Sequence, residues 1–207
     1  MEESEAKSEE YYQLMDTRRT VKYFSPDHIS FTIIQNIIKA AGTAPSGAHT
    51  EPWTYVVVCD PEVKMQIRKI IELDEKQCYA QRTGQRVNKI GKNTDSIWKK
   101  DYLTTAPYLI LVFKQLYSFQ DDSKKKMNFY NEMSVAIAAG ILLTAIHYAG
   151  LVSLTSTPLN SENEIRKILN RPKNERLVLL VPVGYPAENA TVPDLSRKHL
   201  SDIMVEI

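Results

Sequence analysis

The sequence predicts an α+β domain, a central β-sheet flanked by helices, on three observations. Solidly apolar runs recur at residues 55–58, 108–113 and 177–183, as expected of strands buried on both faces. Stretches of helical period lie between them; in residues 30–41, Ile33, Ile34, Ile37, Ile38 and Ala41 share one face. Gly and Pro punctuate the boundaries.

Taken in order, residues 1–9 are acidic and polar and are expected to be a disordered tail. Residues 10–18 read as a helix, 21–24 as extended chain and 25–27 as a turn. After the helix at 30–41 and the strand at 55–59, Asp60-Pro61 starts a helix that turns Val63, Ile67, Ile70 and Ile71 inward, with Pro at its favoured first position. Residues 72–102 lose apolar content, so the segment is expected to be weakly packed, either disordered or a functional lid. Residues 115–127 read as a polar connection. Residues 128–149 form a long apolar helix closed by Gly150, followed by a short strand at 151–154. Ser161 and Glu164 suggest a capping box for a helix at 161–169. Residues 186–207 are an extended tail whose Ile203, Met204, Val205 and Ile207 suggest docking on a partner subunit.

Three connections carry residue sets that could bind a ligand, although each also reads as ordinary turn or surface chemistry. The stretch 43–53, TAPSGAHTEPW, is shaped by Pro45, Gly47 and Pro52, while Ser46, Ala48 and His49 are too small or polar for a core. A rigid loop with exposed N–H groups suits a planar ligand or an anion. Arg18-Arg19-Thr20 combines guanidinium forks with a hydroxyl, a set that can grip phosphate. Thr155-Ser156-Thr157-Pro158 puts hydroxyls at a strand end, where open sheets place ligands. Glu75 and Tyr79, four apart, would share a helix face.

Composition excludes several classes. A net charge of +1 and the absence of a basic stripe interleaved with aromatics argue against nucleic acid; Lys124, Lys125 and Lys126 read as a solvated loop. The four histidines show no ligand spacing, so no metal is expected. Cys59 and Cys78 form no disulfide framework and fit a reducing compartment; Cys59, at a strand end, is expected to be buried. Residues 2–10 are acidic and polar, so no signal peptide is expected there, and the longest apolar stretch, 133–146, is too short to span a bilayer. G-x-G-x-x-G, P-loop and G-x-S-x-G motifs are missing, which disfavours classical dinucleotide binding, phosphoryl transfer and serine hydrolysis.

Taken together, RRTVKYF, APSGAHTEPW, TSTP and VPVGYP with a late Arg resemble the flavin-dependent nitroreductase superfamily. The longer stretches TAPSGAHTEPWTYVVV, AGLVSLTSTPLN and VPVGYPAENATVPDLSRK resemble its iodotyrosine deiodinase family, over nearly all of residues 11–207. The resemblance implies a nitroreductase-like catalytic domain over 10–207 with a central mixed sheet. It implies an intertwined homodimer with swapped terminal extensions and one FMN at each of two interface sites. Arg18, Arg19, Thr20 and Arg197 would take the flavin phosphate, Ser46 and Gly47 would lie beneath the ring, and Thr155, Ser156 and Thr157 would form the hydroxyl cluster. Thr157 would bond flavin N5, which favours one-electron chemistry over hydride transfer. Ala48 would offer its N–H to a halotyrosine phenolate, and Glu75, Tyr79 and Lys100, on a lid spanning 72–102, would hold the amino acid's charged groups.

The implied activity is reductive dehalogenation of mono- and diiodotyrosine, and of bromo- and chlorotyrosine, to tyrosine and halide. Electrons would come from NADPH through a partner reductase. The residues leave two alternatives open: a nitro- or quinone reductase working by hydride transfer, and a flavin- or halotyrosine-binding protein without turnover. Ser156 stands where vertebrate members carry Thr, a change that keeps the hydroxyl. Those members also carry an N-terminal membrane anchor; this chain is expected to be a soluble, cytoplasmic form or a catalytic domain without that anchor.

Overall fold

The computed structural model describes residues 2–83, 98–119, 124–158 and 160–207, with the backbone alone for 79–83. The first half contains α1 (Glu2–Asp16), α2 (Phe31–Gly42), β1 (Trp53–Val58), α3 (Pro61–Thr83) and α4 (Tyr102–Thr105). The second contains β2 (Tyr108–Gln115), β3 (Tyr117–Phe119), β4 (Lys125–Met127), α5 (Asn131–Tyr148), β5 (Val152–Ser153), α6 (Glu162–Ile168) and β6 (Glu175–Gly184). Single 3-10 turns occupy Gly47–His49 and Leu200–Asp202.

The main sheet runs β1-β2-β6-β5. Its named strands pair antiparallel, and a parallel bridge between Thr20 and Ser153 at the β5 edge makes it mixed. Strand β2 shows why the apolar runs are continuous. Tyr108, Ile110 and Val112 enter one core with Ile34 and Ile37 of α2 and Leu142 and Ile146 of α5. Leu109, Leu111 and Phe113 enter a second core with Ile67 and Ile71 of α3, Leu103 of α4 and Ile165 of α6. The period of two thus feeds two layers of helices.

The helix ends follow local chemistry in two places. Asp60 Oδ1 accepts from the N–H groups of Glu62 (2.8 Å) and Val63 (2.9 Å), which starts α3 around Pro61. Gly150, at φ 74°, closes α5: its N–H bonds His147 O, and Leu151 N–H bonds Ile146 O.

The structure corrects several expectations. Residues 2–9 are helical, not disordered: Glu2, Glu3 and Glu5 complement the helix dipole, and Lys7 pairs with Glu3 at 2.7 Å. The polar connection 115–127 contains the β3–β4 hairpin. Helix α3 continues to Thr83 through much of the weakly apolar stretch, because Ile67 and Ile71 hold its first half in the core; residues 84–97 of the expected lid lie outside the described residues. Ser161 makes no side-chain cap; its Oγ donates to Asp74 Oδ2 of α3 at 3.0 Å, so the capping box is not formed. Cys59 is exposed, since β1 ends one residue earlier. The tail, by contrast, needs no correction: Leu200, Ile203, Met204 and Val205 are exposed on the single chain, where a partner could cover them. Among the described residues no helix is long and apolar enough to cross a membrane.

Candidate active site

The segment Arg18–Thr20 leaves α1 and lies against β5. Thr20 bridges Ser153, and Val21 N–H donates to Ser153 O at 3.1 Å. The hydroxyl cluster begins two residues beyond Ser153, so the strand brings both motifs to one edge of the sheet. Ser156 is fixed by reciprocal bonds with Leu180, at 3.0 and 2.8 Å. Thr155 and Thr157, on either side of it, are exposed. The tail returns here as well: Arg197 Nη2 donates to Arg18 O at 3.0 Å. Arg19 Nη1 donates to Arg18 O at 3.0 Å and to Asp16 O, so the turn that presents the arginines is tied by one of them.

Arg18, Arg19, Thr20 and Arg197 line one cleft of about 610 Å3, together with Lys22. No carboxylate is among its lining residues. Guanidinium forks, an ammonium and a hydroxyl without a competing anion form a donor set that fits a dianionic phosphate. Val192, Pro193 and Leu195 supply an apolar wall from the tail, a contribution that the sequence does not signal because the tail's course depends on docking. Lys22 and Tyr23 also border a second cleft of about 530 Å3, lined by Lys100 and Tyr102.

Lys100 Nζ pairs with Glu75 Oε2 at 2.7 Å, which joins two of the sequence-predicted residues. Tyr102 is held neutral: burial, with the nearby charges of Glu75 and Glu72, pushes its hydroxyl up to about 12. Tyr79 lies on α3 one turn beyond Glu75, and its side chain is outside the described residues.

The third motif lies elsewhere. Gly47 N–H donates to Ser134 Oγ of α5 at 3.3 Å, and Ser46 Oγ accepts from Glu51 N–H at 3.0 Å. Gly47 is needed for space: a Cβ there would meet Tyr130 Cδ2 at 3.2 Å and Phe129 O at 3.3 Å. The left-handed angles expected of a glycine fall instead on Ala48 (φ 51°), His49 (53°) and Glu51 (44°). Such conformations in residues with a Cβ cost free energy and cluster where ligands bind. Gly47, His49, Thr50 and Glu51 all have acceptors for their N–H groups; among the described residues the Ala48 N–H has none.

This loop and the arginine cleft are not brought together within one chain. The loop sits at the start of α5, at Ser134. The arginine turn sits at its end, where His147 Nε2 lies 2.9 Å from Leu14 O and 3.0 Å from Thr17 Oγ1. Between Ser134 and His147 the helix rises roughly 20 Å. The outer face of α5 is apolar and exposed at Met133 (65%) and Ile137 (41%).

Residues 15–185 match the model of the nitroreductase family. Iodotyrosine deiodinase 1 of Mus musculus is 52% identical over 206 residues, covering 100% of this chain and 72% of the mouse protein. Iodotyrosine deiodinase of Nematostella vectensis is 51% identical over 204 residues, 99% of this chain and 77% of that protein. The fold superposes on a crystal structure of oxidized iodotyrosine deiodinase bound to FMN and 3-iodo-L-tyrosine, with a TM-score of 0.74 and 30% identity over 95% of this chain and 97% of that one. The chain belongs to the nitroreductase family and, within it, to the iodotyrosine deiodinases.

Proposed function

We propose that the protein is an FMN-dependent oxidoreductase that removes iodide reductively from mono- and diiodotyrosine, releasing tyrosine, with bromo- and chlorotyrosine as further substrates. The observation that carries this reading is the Glu75–Lys100 pair. An acid and a base 2.7 Å apart beside a cleft present opposite charges to the two charged groups of an amino acid. In the complex, Glu75 takes the ammonium and Lys100 the carboxylate, with Tyr79 as a third contact. The unpartnered Ala48 N–H donates to the phenolate, the charge that a halotyrosine carries and tyrosine mostly lacks.

Arg18, Arg19, Thr20 and Arg197 would hold the cofactor phosphate, Ser46 and Gly47 would lie beneath the flavin ring, and Thr155, Ser156 and Thr157 would offer it their hydroxyls. When bound and reduced, FMN would supply two electrons in single steps, which together with one proton replace the ring iodine by hydrogen and release iodide. Thr157 would contribute a hydroxyl donor to the bound ring, a dipole that would favour this route over hydride transfer. NADPH is the ultimate reductant, through a separate reductase.

The working unit is a homodimer, intertwined through its terminal extensions. The roughly 20 Å of α5 that separate the Gly47 loop from the arginine cleft support a site built from two chains, the loop of one facing the cleft of its partner. The exposed apolar face of α5 and the apolar tail supply the contact.

The test is iodide release from 3-iodotyrosine by the FMN-loaded protein under excess dithionite, followed over many turnovers. Sustained release that falls by roughly two orders of magnitude in Glu75→Gln and Lys100→Ala is expected, since each loses a charged contact. Release that stops at one equivalent, or that ignores both substitutions, sinks the reading.

A further inference from the structure

Arg68, Glu72 and Glu75 follow one another on α3 at spacings of four and three, so they form one stripe of the helix. The stripe does more than present Glu75. Glu72 Oε1 accepts the backbone N–H of Lys100 at 2.6 Å. The same oxygen is held by Arg68 Nε at 2.7 Å. Arg68 spreads its remaining donors over the returning chain: Nη1 donates to Thr104 Oγ1 at 2.9 Å and Nη2 to Asp101 Oδ1. Arg68 and Glu72 are largely shielded, with side chains 17% and 23% exposed, so the bond between them is not diluted by water as a surface pair is; the Asp101 carboxylate lies in solvent. Burial alone would weaken the Arg68 charge, but its bonds to Glu72 and Asp101 outweigh that and hold the guanidinium protonated.

The consequence is geometric. Lys100 is the second residue after Trp98 and ends on a long flexible stem, so its backbone must be fixed for Nζ to meet Glu75. Glu72 fixes that backbone from the adjacent turn of the helix that carries Glu75. We propose that Arg68 and Glu72 are positioning residues that set the spacing between Glu75 and Lys100, and so the selectivity for amino-acid over simple phenolic ligands. This rests on the function proposed above. Neither residue touches the ligand; each acts through Lys100.

The experiment compares the dissociation constants of 3-iodotyrosine and 2-iodophenol, read by quenching of flavin fluorescence on the oxidised, FMN-loaded protein. The two ligands share the halogenated ring, and the phenol lacks the charged amino-acid end. Glu72→Ala is expected to raise the constant for 3-iodotyrosine relative to that for 2-iodophenol by roughly ten-fold or more, the loss typical of a charge-assisted hydrogen bond. Glu72→Gln keeps an oxygen for the Lys100 N–H and is expected to recover most of the ratio. A ratio unchanged in Glu72→Ala, an equal weakening of both ligands, or a Gln variant as poor as Ala overturns the inference. If Glu72→Ala does not retain flavin, Arg68→Met carries the test on the same ratio. A wild-type protein that fails to distinguish the two ligands overturns the proposed function instead.

Discussion

Glu175 shows how a single buried charge is accommodated. It is 3% exposed, and its carboxylate accepts from Arg171 Nε and Nη2 at 2.7 and 2.8 Å and from Thr54 Oγ1 at 2.7 Å. Burial pushes the carboxyl up, but the Arg171 and Thr54 hydrogen bonds and the Arg171 charge outweigh it and hold the group below its ordinary range. A depressed value contributes stability that is complete above the unfolded pKa and is lost as pH falls through the folded one. Arg171→Ala leaves the carboxylate buried without its cation and is expected to cost about 3 kcal/mol at pH 7. The deficit should shrink towards pH 3, where the variant's carboxyl is protonated. Urea unfolding of both proteins at the two pH values checks this; a deficit independent of pH would assign the loss to packing.

Helix α3 is held differently along its length. Its first half carries Ile67 and Ile71 into the core. Its second half is held by polar contacts. Besides the Arg68–Glu72 stripe, Asp74 Oδ2 accepts from Ser161 Oγ at 3.0 Å, and Asn160 Nδ2 donates to Cys78 Sγ at 3.1 Å. These bonds tie α3 to the start of α6, three to four residues past Thr157. Ser161 is 3% exposed, so Asp74→Ala leaves a buried hydroxyl without its acceptor. Amide exchange in residues 74–83 is expected to accelerate roughly ten-fold while that in 61–71 stays unchanged, because local openings follow the contacts that each segment makes. Equal acceleration in both halves would show that the helix opens as one unit, contrary to this division.

For the whole molecule, the distribution of apolar surface bears on the proposed dimer. Helix α5 buries Val135, Ala138, Leu142 and Ile146, yet its outer face carries exposed Met133, Ile137 and Tyr148. A helix apolar all round calls for burial on both sides. Ile137→Glu is expected to convert a dimer into single chains of 23.6 kDa and to lower FMN retention with it, as the proposed two-chain site requires. Light scattering with flavin absorbance on the same sample measures both. A monomer that keeps its flavin would contradict a shared site; a dimer that survives would place the interface elsewhere.

The reach of local chemistry separates what could be read from residues 1–207 alone from what could not. Element type was legible because period and composition are properties of neighbouring residues: the run 108–113, the stripe of Ile33 to Ala41, Pro61 and Gly150 each act within a turn or a strand. The candidate ligand groups were legible as motifs for the same reason. Which groups meet is a property of packing. Thr20 and Ser153 are distant in sequence, yet β5 brings their motifs together. The Gly47 loop, equally suggestive as a motif, is placed at the far end of α5. Ser161 had the right spacing for a cap, yet its hydroxyl is turned to donate to Asp74 and accepts no helix N–H. Arg68 and Glu72 pair at the ordinary i, i+4 spacing, and only the returning chain places the Lys100 N–H against Glu72. A side chain's partner is set by distances between elements, and those exist only once the two cores have closed on the sheet.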